Sequence, residues 1–379
     1  MKLFLSLLII LFLQSSLILC QSENNNYSIG NSINIKSKIL NEDRRIFVSL
    51  PEDYNSTDKR YPVLFVLDSK TNFKHSFGTE SYLSEAEMIP NHIVVGIEIS
   101  NPIKDLNLNS IDDRESFSSF IKDEVIPLID KNYRTQPFKI LFGHSVSGTF
   151  ALYVFLAHEE LFNSYIVSSP YDTSEFRFLS NIAKESLSAK YNRAKYLLIM
   201  AGNDPYFNNS LQDFIKQINE NAASNLLWYY TILDNENYYN SALITLYNGL
   251  QYTYGDYKVP TTMSANGNLD SLKNYFQQLS ISYGFDLNIP QRLLTEFGFQ
   301  VLNAGRLNDA IDIFKYEVGA FPDSPASYGY LGITLEENNS LQDAEENYNI
   351  AYNKSVLQNS SSISYYKDKL EKIKMKMNK

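Results

Sequence analysis

Short apolar runs alternate with amphipathic stretches along the first two thirds of the chain. Residues 61–67 are almost continuously apolar, as a strand buried on both faces requires. Residues 92–99, with Ile93, Val94, Val95, Ile97 and Ile99, read the same way, and 81–88 predict the crossover helix between the two. Residues 117–129 place Phe117, Phe120, Ile121, Val125 and Leu128 near one helical face. A strand over 138–142, a helix over 145–156 and a strand over 164–167 follow. Two later strands, 194–200 and 226–231, flank a further helix. Upstream, 33–50 reads as two short strands about the polar turn Asn41-Glu42-Asp43. Strand–helix alternation predicts an α/β fold with a mostly parallel, doubly wound sheet, or a half-barrel by periodicity alone.

The texture changes at residues 260–268, which read as a connector, and the chain beyond is helical. Gly298, Ala310 and Phe314 recur one 34-residue period later as Gly332, Ala344 and Tyr348, the spacing of tetratricopeptide-like helix pairs. Two pairs cannot bury both their faces, so they are expected to pack on the preceding domain or on a terminal helix over 365–373. The predicted organisation is a signal segment over 1–20, an α/β domain over 21–259, a connector and helix over 260–285, and a small helical repeat module over 286–379. The helical module is a candidate surface for a protein partner.

Between the strand Lys139-Ile140-Leu141-Phe142 and an apolar helix stands Gly143-His144-Ser145-Val146-Ser147-Gly148. A tight strand-to-helix turn is what exposes a serine as nucleophile, so Ser145 is the leading catalytic candidate. Ser147 occupies the last glycine position of the strict Gly-x-Ser-x-Gly spacing, and Gly148 comes one residue later. The Val146 amide is one candidate oxyanion donor; the second is expected in the turn after Leu67, at Ser69 or Lys70. Asp204, after the strand ending at Met200, is the candidate acid, with Glu236 as the alternative.

Four histidines are available, His75, His92, His144 and His158, and none has zinc-ligand spacing. No metal or cofactor site is expected. A formal charge of −10 gives no support to a nucleic-acid surface. Met1-Lys2 and the apolar residues after it have the form of a secretory signal, interrupted at Gln14, Ser15 and Ser16 as a retained membrane anchor is not. Cys20, the single cysteine, falls at the processing boundary. Leu17-Ile18-Leu19-Cys20 resembles a bacterial lipoprotein box except at Leu19, so cleavage after Cys20 is preferred to lipid anchoring. The expected destination is secreted or periplasmic.

Several segments together carry a resemblance: Lys38-Ile39-Leu40-Asn41-Glu42-Asp43-Arg44-Arg45, Leu50-Pro51, the run from Tyr61 to Asp68, Ile93-Val94-Val95-Gly96-Ile97, Ile126-Pro127-Leu128-Ile129-Asp130, the elbow, and Ser168-Ser169-Pro170. On these the chain resembles the putative-esterase family, which includes enterobactin and related siderophore esterases. The resemblance implies an α/β-hydrolase fold and action on carboxylic esters. It also implies a catalytic histidine eleven residues before the glycine of Leu246-Tyr247-Asn248-Gly249-Leu250, within Glu-Asn-His. Here that triplet reads Glu236-Asn237-Tyr238. Tyrosine, with a pKa near 10, is a poor base at neutral pH. The expectation is an esterase-like protein with an impaired triad, or an inactive homologue that binds a ligand or partner.

Overall fold

A computed structural model describes residues 28–171, 175–188, 191–203, 209–258, 263 and 266–378. The signal segment with Cys20, Asp204, and most of the 260–268 connector lie outside the described residues.

Eight strands form one sheet: β1 (Asn31–Ser37), β2 (Glu42–Ser49), β3 (Tyr61–Leu67), β4 (Ile93–Ile97), β5 (Thr135–His144), β6 (Ser164–Ser168), β7 (Lys195–Gly202) and β8 (Leu226–Leu233). Their order is β1-β2-β4-β3-β5-β6-β7-β8. β1 and β2 pair antiparallel, as do β2 and β4; every pairing from β4 through β8 is parallel. The sheet is open, which sets the half-barrel alternative aside. All residues of β3, β4 and β6 are buried, the burial their unbroken apolar runs require, whereas edge strand β1 is partly exposed.

Two sequence expectations need correction. The β1–β2 turn spans residues 38–41, and Glu42 already pairs with Ser37. Asn41 takes φ 53° there, and the Glu124 carboxylate accepts the Lys38 and Ile39 amides at 2.8 and 3.3 Å, a distant contact no local pattern announces. The crossover helix α1 (Ser69–Glu85) begins twelve residues before the expected start. Its buried side includes Asn72, Ser76, Thr79 and Glu80, so polar side chains hid its inward face from a hydrophobic pattern.

Helix α2 runs over 111–132 through a π-turn at Phe120–Val125. Helices α3 (Val146–Ala157), α4 (Glu175–Ser188) and α5 (Asn209–Asn221) share with α2 the apolar core on one sheet face, around Phe117, Phe150, Phe176 and Phe214. The other face is covered by α1 and α6 (Ser241–Thr253) and then by a separate all-helical region. That region holds α7 (Leu269–Tyr283), α8 (Gln291–Asn303), α9 (Leu307–Ala320), α10 (Pro325–Glu337), α11 (Leu341–Leu357) and α12 (Ile363–Met377). One apolar cluster runs from Val66, Phe138 and Leu198 through Leu250 and Phe276 to Phe314, Tyr348 and Ile373. The 34-residue spacing has a structural counterpart: a Cβ on Gly298 would stand 2.6 Å from the Phe314 ring, and one on Gly332 2.8 Å from Tyr348.

Candidate active site

The parallel strands end, at their carboxyl edge, on the elbow. Ser145 sits between β5 and α3 with φ 63° and ψ −129°, a conformation non-glycine residues hold only when neighbours enforce it. The enforcing contacts are short. The Ser145 amide donates to the Ser168 carbonyl at 3.0 Å, and its own carbonyl accepts the Thr149 and Tyr171 amides at 3.0 and 3.2 Å. A Cβ on Gly143 would lie 2.3 Å from the Ser147 carbonyl oxygen, so that position admits glycine alone. Gly148 makes the close approach on the far side, where a Cβ would be 3.1 Å from the carbonyl oxygens of Gly143 and Ser168. The Ser147 side chain is buried and accommodated, which explains the shifted glycine spacing.

The residue touching the Ser145 hydroxyl is Tyr238, whose phenol donates a hydrogen bond to Ser145 Oγ. Contacts with its backbone also grip the loop that carries it. A Cβ on Gly202, at the end of β7, would collide with Asn237 and the Tyr238 amide at 2.5–2.7 Å. Asn237 Oδ1 accepts the Tyr239 and Asn240 amides at 2.9 and 3.1 Å, starting α6. The Tyr238 carbonyl accepts from Ser241 Oγ at 2.8 Å and from His144 Nε2 at 3.0 Å, so that nitrogen carries the proton. Ser241 Oγ is in turn 2.7 Å from Ser169 Oγ, which accepts the Gly202 amide at 2.9 Å. Gly249, in α6, presses on Ile166: a Cβ there would be 2.4 Å from that side chain, so the glycine lets α6 seat closely on β6.

Burial holds the Tyr238 phenol above the usual tyrosine range, with Tyr239, Tyr171 and Asp68 adding to the effect and the Ser145 bond opposing it. At neutral pH the phenol keeps its proton. Burial also lowers His144, against the Tyr238 carbonyl bond and the Asp68 charge. His144 packs its ring 4.7 Å from that of Tyr238. His75 lies within α1, where it pairs with Asn72 Oδ1 at 3.2 Å and stands edge-on to Phe142. Burial and nearby His144 pull its imidazole down to about 4. His92 is buried against Tyr254 at 2.7 Å, and His158 sits 3.3 Å from Glu115. Among the described residues, which include all four histidines, no imidazole is bonded to Ser145.

Ser69 and Lys70 open α1, and Val146 opens α3; first-turn amides have no acceptor within their own helix. Lys70 Nζ pairs with Glu98 at 2.9 Å, and Arg45 holds the other oxygen of the same carboxylate at 2.8 Å. Asp68, missed as a site residue from sequence, takes φ 52° at the start of α1 and charges the pocket around Tyr238 and His144. Its available signal was the Leu67-Asp68-Ser69 strand end. Glu236 contributes its carbonyl to the Asn203 amide at 2.8 Å. Among the described residues no group of three or more metal-ligating side chains gathers.

A central parallel sheet in this order, a serine on a strained strand-to-helix turn and flanking helices on both faces define an α/β-hydrolase, here with a separate helical region. The family model described as "Putative esterase" matches residues 37–265, more than half of the chain, and the chain belongs to that family. The ferri-bacillibactin esterase BesA of Bacillus subtilis is 25% identical over 221 residues, covering 50% of this chain and 75% of its own. An IroE-like serine hydrolase from Shewanella oneidensis superposes with a TM-score of 0.64 at 21% identity, over 77% of this chain and 99% of its own. An uncharacterised protein from Capnocytophaga ochracea gives a TM-score of 0.66 at 16% identity, over 91% of this chain and 99% of its own. With nine tenths of the chain covered, that likeness of fold takes in C-terminal helices.

Proposed function

We propose that the chain is a serine-esterase-like protein that binds carboxylic esters at Ser145 and hydrolyses them slowly, with the reaction held back by Tyr238. The observation that carries this reading is the phenol of Tyr238, the residue at the position the resemblance assigns to the family's histidine, bonded to Ser145 Oγ. A serine needs its proton removed as it attacks, and a neutral phenol raised above its ordinary range cannot take it. The Val146 amide, with Ser69 or Lys70, serves as oxyanion hole, and Asp204 is the acid that would orient an imidazole. Backbone donors survive side-chain replacement, so this half of the machinery is retained. In a serine protease stripped of a triad member, the rest of the site still gives roughly 10³–10⁴-fold acceleration over water.

A second reading, a non-catalytic ligand-binding protein, is favoured by the same contact, since a neutral phenol bonded to Ser145 Oγ offers the serine no base. The protein works outside the cytoplasm after removal of its signal segment. The Gly298–Phe314 and Gly332–Tyr348 contacts support tetratricopeptide-like helix pairs, offered to a protein partner.

Hydrolysis of short-chain aryl esters between about pH 7 and 10 separates the readings. The wild type is expected to turn over slowly, to rise with pH without reaching a plateau, and to lose this activity in Ser145→Ala. Tyr238→His should raise the rate near neutral pH by about tenfold or more. Hydrolysis indifferent to Ser145 at every pH eliminates the esterase reading, and ligand binding without turnover establishes the second.

A further inference from the structure

The sheet ends in two unlike edges. At one, β1 carries Asn31, Ser32, Asn34 and Lys36, polar and cationic guards of the kind that keep an open edge from pairing with another chain. At the other, β8 reads Leu226-Leu227-Trp228-Tyr229-Tyr230-Thr231-Ile232-Leu233, without charge, proline or glycine, and among the described residues no strand lies beyond it. Leu227 and Tyr229 are 43% and 47% exposed on this strand. We propose that β8 is the interface of a symmetric homodimer, pairing antiparallel with β8 of a second copy about a two-fold axis at Tyr230.

The backbone fixes which groups the edge offers. The Lys195 amide donates to the Asn225 carbonyl at 3.1 Å, whereas the Tyr196 amide turns the other way, to the Asn163 carbonyl at 3.0 Å. Lys195 pairs with Leu226, and the register runs unshifted to Gly202 and Leu233. Odd-numbered residues of β8 therefore bond to β7, and Trp228, Tyr230 and Ile232 turn their N–H and C=O groups outward. Among the described residues the one bond these groups make is at the Ile232 carbonyl, which accepts Thr231 Oγ1 at 3.2 Å.

The three outward residues are spaced evenly about Tyr230, so an axis there pairs all of them with their counterparts in a second copy. Tyr230 exchanges both backbone bonds with its own image, and Trp228 exchanges both with Ile232 of the second copy. An axis at Tyr229 would instead oppose Ile232 to Leu226, whose amide already donates to the Ala223 carbonyl at 3.0 Å. With the axis at Tyr230, exposed Leu227 faces Leu233 of the second copy and exposed Tyr229 faces its Thr231. Trp228 opposite Ile232 is an aromatic–β-branched pair, a favoured cross-strand combination. The charges agree with this register. Asp234, the first carboxylate after the strand, comes opposite Leu226, which sets the two copies' Asp234 side chains about 26 Å apart, beyond the reach of unscreened repulsion at physiological salt. Because β1 is guarded, each copy offers one such edge and association closes at two. The strands of the two copies run oppositely, so their Ser145 sites open at opposite ends of the joined sheet.

The test is analytical ultracentrifugation of the chain freed of its signal segment, at about 150 mM salt to screen its negative charge. One strand with its flanking side chains is a small interface, so a monomer–dimer equilibrium with a Kd of about 1–50 µM is expected. Tyr229→Lys, at an exposed position, brings two ammonium groups together beside the axis and should weaken the dimer about tenfold or more. Adding Thr231→Glu should restore most of the affinity, since each new ammonium then faces the other copy's new carboxylate. Ser145→Ala should associate as the wild type does. A chain monomeric up to about 200 µM overturns the proposal, as does growth beyond the dimer or unaltered association in a folded Tyr229→Lys. If that variant misfolds by circular dichroism, Leu227→Lys takes its place with the same criterion. Hydrogen exchange at the Trp228 and Tyr230 amides should slow as the dimer forms; unchanged exchange in a dimeric chain puts the contact elsewhere and overturns the proposal.

Discussion

Ser145 and its neighbours place the cost and the constraint of this site in a few torsions and titrations. Holding a serine at φ 63° costs on the order of 1–3 kcal/mol, offset by the three backbone hydrogen bonds around it. His75 adds a pH dependence of definite sign. Its imidazole is lowered to about 4 in the fold, mainly by burial, and titrates near 6.5 when unfolded. On acidification the unfolded chain therefore takes up the proton first. Stability present above about pH 6.5 is lost as pH falls towards 4, by up to about 3 kcal/mol. Urea unfolding at pH 7 and pH 5 should show a smaller difference for His75→Gln, which can keep the Asn72 bond, than for the wild type. Equal differences would assign the acid loss to other groups.

Among the elements, α8 to α11 owe their close crossing to two glycines. Gly298→Ala and Gly332→Ala should each cost about 1–3 kcal/mol, because the new methyl meets an aromatic ring packed on its other side. Gly319→Ala in α9 meets nothing within 4 Å and should instead raise stability by up to about 1 kcal/mol. Thermal melts of the three variants check the contrast; a Gly332→Ala chain as stable as the wild type would show that Tyr348 yields freely. These glycines stood out in the sequence by their 34-residue spacing. β3 and β4 were legible because total burial writes itself as an unbroken apolar run. The start of α1 was not: Asn72, Ser76, Thr79 and Glu80 spend its inward face on polar contacts, which hydrophobic periodicity reads as loop. The elbow serine was singled out by its motif and Tyr238 only through the family resemblance, but the carbonyl tether from His144 and the hydroxyl chain through Ser241 and Ser169 join segments 94 and 72 residues apart. No local pattern encodes such pairings.

The whole molecule is tied together by the apolar cluster that runs from the sheet through α6 and α7 into the last helices. A chain cut after Lys258 would expose the sheet-side half of that cluster, including Leu250 and Tyr254, which are fully buried in the intact protein. Such a fragment is expected to aggregate or to melt without a cooperative transition, read by size-exclusion chromatography and calorimetry; a monodisperse, cooperatively melting fragment would show that the sheet stands alone. The loop bearing Tyr238 follows a different logic, being gripped through Gly202, Asn237 and its own carbonyl by contacts indifferent to the side chain. In the genetic code tyrosine and histidine differ by one base at the first codon position. On the proposed reading of position 238, exchanging the tyrosine for a histidine is thus a single-nucleotide event that asks nothing new of the contacts gripping the loop backbone.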